Sequence, residues 1–209
     1  MSAELTIFVL VVITIVGWFA LGTHVNVRKG HRFLEWLQGG LPLIGEKTTL
    51  RWLGSSVVHL QVEKAHEPFR RVEVLIVLEP RDVPPLWLLS RLRGRRDLLI
   101  VRTQLRSAPR IQVEILRSDT WSTASVEHEV KQQQWQRVER PPYQVYALQP
   151  GADVGELLAA AGQAGLPVNR IGVRRANNTL ELHWQLPGRA ADASARAVVE
   201  AAQQVAGHL

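Results

Sequence analysis

Residues 5–22 read Leu-Thr-Ile-Phe-Val-Leu-Val-Val-Ile-Thr-Ile-Val-Gly-Trp-Phe-Ala-Leu-Gly, and no formally charged side chain occurs between Glu4 and Arg28. An α-helix rises about 1.5 Å per residue, so about 20 residues cross the roughly 30 Å hydrocarbon core of a bilayer. The two threonines are compatible with a span, because their hydroxyl groups can donate to carbonyl groups one helical turn back. The stretch therefore predicts a single transmembrane anchor within residues 1–27.

The flanks of this run favour an uncleaved signal anchor over a cleavable signal peptide. A signal peptide begins with basic residues and ends at a small-x-small site, whereas this run follows Met-Ser-Ala-Glu and carries Trp18 and Phe19 near its far end. The basic residues Arg28, Lys29 and Arg32 come after the run instead. Because basic residues flank spans on the cytoplasmic side, we expect a cytoplasmic C-terminal domain. The lack of cysteine agrees with a reducing compartment without establishing one.

Residues 28–56 predict a basic juxtamembrane segment with a short amphipathic helix. On a helix over residues 31–38, Phe33, Trp36 and Leu37 share one face. This face can lie in the lipid headgroups beside the basic side chains, or it can pack on the cytoplasmic domain, and both alternatives remain open. The predicted membrane-surface residues are Arg28, Lys29, Arg32, Phe33, Trp36 and Leu37.

The rest of the chain predicts an α+β domain made of antiparallel sheet with helices. Alternating apolar residues predict strands at residues 57–62, 72–78, 98–105, 111–116, 143–148, 170–175 and 179–186. Helices are expected at residues 84–92, where Asp82 and Pro84 predict the start, and at 120–138, 153–164 and 189–206. Two units follow from this order, a first α+β unit at 57–140 and a second at 141–209.

A short similarity between the two units suggests an internal duplication. Residues 78–83 read Leu-Glu-Pro-Arg-Asp-Val and residues 148–154 read Leu-Gln-Pro-Gly-Ala-Asp-Val, each at a strand-to-helix joint. Turn chemistry alone also favours Pro and Asp at such joints. The resulting hypothesis is two ferredoxin-like units of strand, helix, strand, strand and helix, in which the strands beginning at Val72 and Tyr143 are equivalent. The analogy concerns the fold and implies no function.

No motif in the sequence predicts a catalytic, metal or nucleotide site. His24 and His31 lie about 10.5 Å apart along a helix, too far for one metal ion bound at about 2 Å. The triplet 127–129, Glu-His-Glu, would fan around a helix axis, and no glycine-rich phosphate loop occurs. We therefore expect no cofactor. The sequence favours a protein that is not an enzyme, while a membrane-tethered enzyme with an unrecognised site stays a third class.

Positive charge is concentrated in one part of the predicted domain. The chain has a formal net charge of +6, and residues 81–110 hold eight arginines and two aspartates. Guanidinium groups bind the phosphates of lipid headgroups or nucleic acids. The anion-binding candidates are Arg91, Arg93, Arg95 and Arg96. The alternative is that arginine simply replaces lysine throughout this chain, which has 21 arginines and four lysines.

These observations lead to two hypotheses about function. The first is a non-enzymatic single-pass membrane protein whose cytoplasmic module binds a protein partner or a second copy, or serves as an accessory subunit of a membrane complex. Its candidate interface aromatics are Trp121, Trp135 and Trp184. The second is an anionic-surface binder, for acidic lipid or nucleic acid, that uses the arginines of residues 91–96. No predicted strand carries the aromatic pattern of RNA-binding sheets, which disfavours nucleic acid.

Overall fold

The computed structural model describes residues 2–118, 126, 130, 135–148, 154–187 and 194–209. Its helices are α1 (Ala3–Gln38), α2 (Leu41–Ile44), α3 (Pro84–Leu92), α4 (Val154–Gly162) and α5 (Ala195–Gly207). Its strands are β1 (Gly45–Leu53), β2 (Val57–Ala65), β3 (Phe69–Val77), β4 (Leu98–Leu105), β5 (Val113–Arg117), β6 (Gln136–Arg140), β7 (Tyr143–Ala147), β8 (Val168–Arg174) and β9 (Thr179–Gln185). The α+β class expected from the sequence is confirmed.

The nine strands of the described residues form one open sheet in the order β1-β2-β3-β4-β9-β8-β5-β7-β6. Every neighbouring pair is antiparallel. Successive side chains on a strand point to opposite faces, so Val58, Leu60 and Val62 of β2 are buried on one face. Helices α4 and α5 and the second half of α1 contribute to the same hydrophobic cluster as these strands. The core therefore lies between one face of the sheet and the helices.

Helix α1 is divided into an exposed part and a packed part without a break in the helix. Every side chain of residues 7–21 is exposed. The buried residues begin at Gly22 and recur every three or four positions, at Gly22, Asn26, Gly30, Phe33, Leu34 and Leu37. Among the described residues α1 alone is long and apolar enough to cross a bilayer, and only 6% of its most apolar 18 residues are buried.

The amphipathic face predicted at residues 31–38 belongs to the end of α1 and packs on the domain. Phe33 is 4% exposed and Leu37 is 1% exposed, and both lie in the main core cluster. Trp36 is half-buried against the same cluster. The structure therefore places this face on the sheet and the other helices.

Strand β1 was not expected from the sequence and lies within the segment predicted to be juxtamembrane. Among the described strands it is an edge strand, and it pairs with β2. Because its side chains are mostly exposed, its sequence lacks the alternation of apolar and polar residues that β2 and β3 show. Another difference concerns the helix expected at 120–138. Most of that range lies outside the described residues, but Gln136 already begins β6, so the helix does not continue to Val138.

The sheet order does not give the two predicted units the same arrangement. Strands β3 and β4, which flank α3, are direct antiparallel neighbours. Strands β7 and β8, which flank α4, are instead separated by β5. The strands that contain Val72 and Tyr143 thus occupy different positions, third from one edge and second from the other. The equivalence expected from a duplication is not found, and residues 149–153 of the second joint lie outside the described residues.

Candidate functional site

Asn26 lies where α1 first meets the α+β domain, and its side chain is completely buried. The Asn26 amide nitrogen donates to the carbonyl oxygen of Glu79 at 3.1 Å and to the hydroxyl of Ser56 at 3.2 Å. Its side-chain oxygen accepts a hydrogen bond of 3.1 Å from Arg81. Since buried polar groups are costly unless they are hydrogen-bonded, these partners fix the rotation of α1 relative to the sheet.

Asp97, just before β4, is the acidic centre of this site and is 3% exposed. Its carboxylate accepts two hydrogen bonds of 3.0 Å from Arg81, one of 2.7 Å from the backbone of Glu79 and one from Lys29. Burial acts to raise the pKa of Asp97, but the hydrogen bonds from Arg81 and Lys29 outweigh burial and lower the pKa. We call the group formed by Asn26, Lys29, Glu79, Arg81 and Asp97 the polar latch.

The polar latch also holds helix α3 beside α1. The Glu79 carboxylate, which is 2% exposed, accepts a hydrogen bond of 2.7 Å from the Trp87 indole and one of 3.2 Å from Arg91. On the other side, the Trp18 indole of α1 donates to the Arg81 carbonyl oxygen at 3.1 Å. The ring centroids of Trp18 and Trp87 are 6.4 Å apart. Helix α3 is thus fixed next to the end of the exposed part of α1.

Two glycines of α1 allow the close approach that the latch requires. A Cβ atom at Gly22 would lie 2.3 Å from the Arg81 carbonyl oxygen, and one at Gly30 would lie 2.5 Å from the Trp52 ring. By contrast, a Cβ atom at Gly17 would have nothing within 4 Å. Gly22, Asn26 and Gly30 are spaced four residues apart, which puts them on one helix face. The sequence shows this spacing, although the sequence analysis above does not predict a packed face here.

Helix α3 leaves its apolar side chains exposed, although the rest of the domain buries most of its leucines. The helix begins at Pro84 as expected, but its N-cap is Val83. Asp82 accepts a hydrogen bond of 2.6 Å from Ser55 instead of capping the helix. Only Ser90 is buried within α3. The exposed apolar side chains, called here the α3 apolar surface, are Val83 at 43%, Leu86 at 48%, Leu88 at 54%, Leu89 at 45% and Leu92 at 77%.

Trp87 of α3 lies against the exposed part of α1. A shallow cleft of about 150 Å³ lies between the two helices and is almost entirely apolar. It is lined by Trp18, Leu21, Gly22, Val25, Arg81 and Trp87. Trp87 thus brings α3 next to exposed apolar side chains of α1, Trp18 and Leu21 among them.

The four arginines predicted to bind anions follow one another at the end of α3, and they have different surroundings. Arg91 is paired with Glu79 and lies 5.9 Å from the centre of the Trp87 ring. Arg96 donates to the carbonyl oxygens of Arg91 and Arg95, so it satisfies groups at the helix C-terminus. The Arg93 side chain is exposed, and Arg95 is half-buried. The structure thus brings the four together but gives Arg91 and Arg96 structural contacts.

The residues predicted at the membrane surface are distributed over three environments. Lys29 belongs to the polar latch, and Arg28 and Arg32 are exposed on α1. Phe33, Trp36 and Leu37 pack on the core, as described above. The candidate interface aromatics are also not on the surface: Trp184 is 0% and Trp135 is 8% exposed. Trp121 and the triplet 127–129 lie outside the described residues.

A second group of buried charges lies on the sheet face opposite the main core. Glu114, which is fully buried, pairs with Arg170 and with Arg174 at 3.2 Å. Burial raises the pKa of the Glu114 carboxyl despite these arginines. A Cβ atom at Gly172, between the two arginines in sequence, would lie 3.0 Å from the Glu114 carboxylate. Glycine at this position leaves the space that the carboxylate occupies.

His183 and Glu181 extend this buried group toward β4. The His183 Nε2 atom lies 2.7 Å from a Glu181 carboxylate oxygen, which also pairs with Arg102 at 3.3 Å. Burial opposes ionisation of Glu181, but the hydrogen bond with His183 and the charge of Arg170 lower its pKa. Burial lowers the pKa of His183. Its Nδ1 atom has no hydrogen-bond partner among the described residues, so a proton there would be buried without an acceptor.

The described residues contain no group of three His, Asp or Glu side chains that could hold a metal ion. A groove of about 460 Å³ is open to solvent, and Arg71, Glu73 and Asn177 are part of its lining. No protein-family model matches the chain, and no curated protein matches it. The candidate functional site is therefore the junction of α1, α3 and the sheet.

Proposed function

We propose that this chain is a single-pass membrane-anchored, non-enzymatic protein whose cytoplasmic α+β domain is held rigidly at the bilayer surface and binds a protein partner there. The observation that carries the proposal is the division of α1 at Gly22. Residues 3–22 extend about 30 Å at about 1.5 Å per residue, which is the thickness of the hydrocarbon core. Contacts with the domain begin at Trp18 and Gly22, where that length ends.

The packed half of α1 supports an uncleaved anchor over a removable signal peptide. Phe33, Leu34 and Leu37 are part of the main core, and Asn26 and Lys29 are part of the polar latch. Removing the helix would therefore expose core side chains and leave Asp97 and Arg81 without two of their partners. The exposed half supports a membrane span over a helix of a soluble core, because its large apolar side chains are exposed and only those near Trp18 meet the domain.

The contacts of α1 also suggest how the domain stands on the bilayer. Asn26 contacts Ser56 just before β2, Gly30 lies against Val58, and the carbonyl of Ile44 at the end of α2 accepts a hydrogen bond from His66 just after β2. Strand β2 thus runs from the latch beside α1 to the end of α2. In the proposed orientation the strands stand upright on the membrane, with the latch close to the lipid. The basic flank at Arg28 supports placing the domain in the cytoplasm.

The buried charges support a structural and binding role over catalysis. In the polar latch and around Glu114, acidic side chains pair with arginine or lysine, an arrangement that holds elements together. A domain fixed rigidly to its anchor keeps its surfaces at a defined height above the membrane. That property suits an accessory subunit of a membrane complex or a protein that pairs with a second copy.

Isolation of the full-length chain from native membranes tests this proposal. We expect the chain to resist extraction by alkaline carbonate and to require detergent. In a mild detergent, chemical crosslinking followed by mass spectrometry should recover a second polypeptide or a second copy in constant proportion. Extraction by carbonate would refute the anchor. A chain that is recovered alone, monomeric and uncrosslinked would refute the role in partner binding.

A further inference from the structure

We propose that helix α3 is a second membrane contact, which lies in the headgroup region of an anionic leaflet with its apolar surface toward the acyl chains. This inference rests on the proposed anchoring by α1, and it adds a specific lipid-binding site to it. The site consists of Leu86, Leu88, Leu89 and Leu92 together with the arginines that follow them. The occupant is the bilayer itself.

The exposure of α3 is the first argument. Its leucines are 45–77% exposed on a helix that buries only Ser90. Elsewhere in the domain the exposed large apolar residues, such as Leu50 and Leu148, lie on separate strands or loops. Connected apolar surfaces of this kind mark interaction sites. A short helix with an apolar exposed face and basic residues beside it is typical of helices that lie in the membrane interface.

The position of α3 is the second argument, and it favours lipid over a soluble partner. The contact between Trp18 and Trp87 fixes α3 beside the residues where the proposed span ends. The Trp87 indole donates to the Glu79 carboxylate, and the Trp18 indole donates to the Arg81 carbonyl oxygen. Helix α3 therefore cannot move away from α1 without breaking contacts with the polar latch. Tryptophan is enriched at the level of the headgroups. The α3 apolar surface would therefore meet the same bilayer that surrounds α1.

The charge at the end of α3 is the third argument. Arg93, Arg95 and Arg96 follow Leu92, and basic side chains beside an anionic membrane surface are attracted to it. Long arginine side chains can keep their apolar stems at the lipid and their guanidinium groups at the phosphates. Nucleic acid would meet the same arginines, but it offers nothing to the exposed leucines. The combination therefore favours anionic lipid.

The absence of cysteine from the chain allows a direct depth measurement. We would introduce Leu89→Cys, Leu92→Cys, Ile13→Cys and Asn177→Cys singly into the full-length protein and attach an environment-sensitive fluorophore. Each variant would be reconstituted into phosphatidylcholine bilayers with and without phosphatidylglycerol, with nitroxide lipids as quenchers. Ile13 is an exposed residue of the proposed span, and Asn177 lies in the β8–β9 turn at the far end of the domain.

The proposal predicts a blue-shifted emission at positions 89 and 92, quenched most strongly by nitroxides near the headgroups. Position 13 should be quenched by deep nitroxides, and position 177 by neither. If position 13 escapes quenching, the proposed anchor is wrong. If position 13 is quenched but positions 89 and 92 are not, the α3 proposal alone is overturned. A blue shift at 89 and 92 without lipid quenching would mean that protein covers α3, and it would also overturn the proposal.

The role of the arginines has its own matched variants. Arg93→Glu reverses an exposed charge at the end of α3, whereas Arg175→Glu reverses an exposed charge at the far end of the domain. Quenching at position 92 should be stronger with phosphatidylglycerol than without it, and this difference should be lost in Arg93→Glu and at high salt. Arg175→Glu should leave it unchanged. Equal quenching in both bilayers would overturn the binding of anionic headgroups.

Discussion

Asp97 accepts two hydrogen bonds of 3.0 Å from the guanidinium group of Arg81, and this buried pair lies at the centre of the junction between α1 and the sheet. Lys29 of α1 reaches the same carboxylate. Because the Asp97 carboxylate pairs with both Arg81 and Lys29, it attaches the proposed anchor to the domain.

Replacing Asp97 by alanine should therefore destabilise the domain strongly. The change leaves the largely buried Arg81 and Lys29 without their shared partner, and removing one member of a buried ion pair typically costs about 3–5 kcal/mol. Unfolding of the full-length protein in detergent by urea, followed by tryptophan fluorescence, measures the loss. Because the pKa of Asp97 is lowered, its contribution is present above the ordinary carboxyl pKa and is lost as the pH falls below it.

The pair formed by Lys47 and Glu63 provides the control for this measurement. Its side chains are 71% and 50% exposed, and exposed pairs contribute about 0–1 kcal/mol. Lys47→Ala should therefore leave the unfolding transition almost unchanged. If Asp97→Ala is as mild as Lys47→Ala, the polar latch does not stabilise the junction.

Gly22→Ala and Gly17→Ala form a matched pair on the same helix. The added methyl group at position 22 would lie 2.3 Å from the Arg81 carbonyl oxygen, while the one at position 17 meets nothing within 4 Å. Insertion of atoms at a tightly packed contact costs about 1–3 kcal/mol, and both changes gain the same helix propensity. We expect Gly22→Ala to lower the urea midpoint and Gly17→Ala to leave it unchanged or raise it. Equal effects would show that α1 does not approach the Arg81 backbone closely.

His183 should make the domain less stable in mild acid. Burial lowers its pKa from the ordinary histidine value of 6.5, so below that pH the unfolded chain binds a proton that the folded chain excludes. The free energy of unfolding therefore falls as the pH drops through about 6.5. Glu181, Arg170 and Arg102 face this ring, and the arginines oppose its protonation. Urea unfolding at about pH 7.5 and about pH 5.5 measures the change, since His titrates between these values.

His183→Gln isolates this contribution. The variant should lose part of the decrease in stability between the two pH values, while His208→Gln, at a histidine that is 42% exposed, should keep it. A pH dependence that is identical in the wild type and in His183→Gln would contradict the assignment.

The sequence was sufficient where one local pattern decides a structure. The alternation of Val58, Leu60 and Val62 predicts a half-buried strand, because the pleat alone places these side chains on one face. The edge strand β1 lacks this alternation, because most of its side chains are exposed, including the apolar Leu50 and Leu53. The sequence predicts the apolar face at Phe33 but not what this face contacts, because an apolar face can be buried equally well in lipid or against a sheet.

The candidate site could be predicted only in part, because its members come together through long-range contacts. The arginines of residues 91–96 were visible as a charge cluster, but the pairing of Arg91 with Glu79 depends on the turn before α3. Asn26 and Asp97 are far apart in the sequence, and only the packing of α1 on β2 and β3 places them around Arg81. The exposure of Leu92 could not be predicted either, because it depends on how the contact between Trp87 and Trp18 places α3 against α1.

The last prediction concerns the orientation of the proposed anchor. Arg28, Lys29 and Arg32 follow the apolar run, whereas residues 1–4 before it hold no basic side chain and include Glu4. Positive residues remain on the cytoplasmic side. In a bacterial host, a fluorescent reporter that matures only in the cytoplasm should therefore be active when fused after Leu209. A phosphatase that matures only outside the cytoplasm should be inactive at the same position, and the opposite pair of results would refute this orientation.

The flanking charges also provide a variant with the inverse expectation. Arg28→Gln with Arg32→Gln removes two exposed charges that have no role in the polar latch, and Ser2→Lys with Ala3→Lys adds two on the other side. Because the difference in basic residues between short flanks sets the orientation, this combination should shift a measurable fraction of chains to phosphatase activity. Arg175→Gln with Arg196→Gln removes as many charges from the distant part of the domain. It should leave both reporters unchanged, since the orientation depends on charges close to the span.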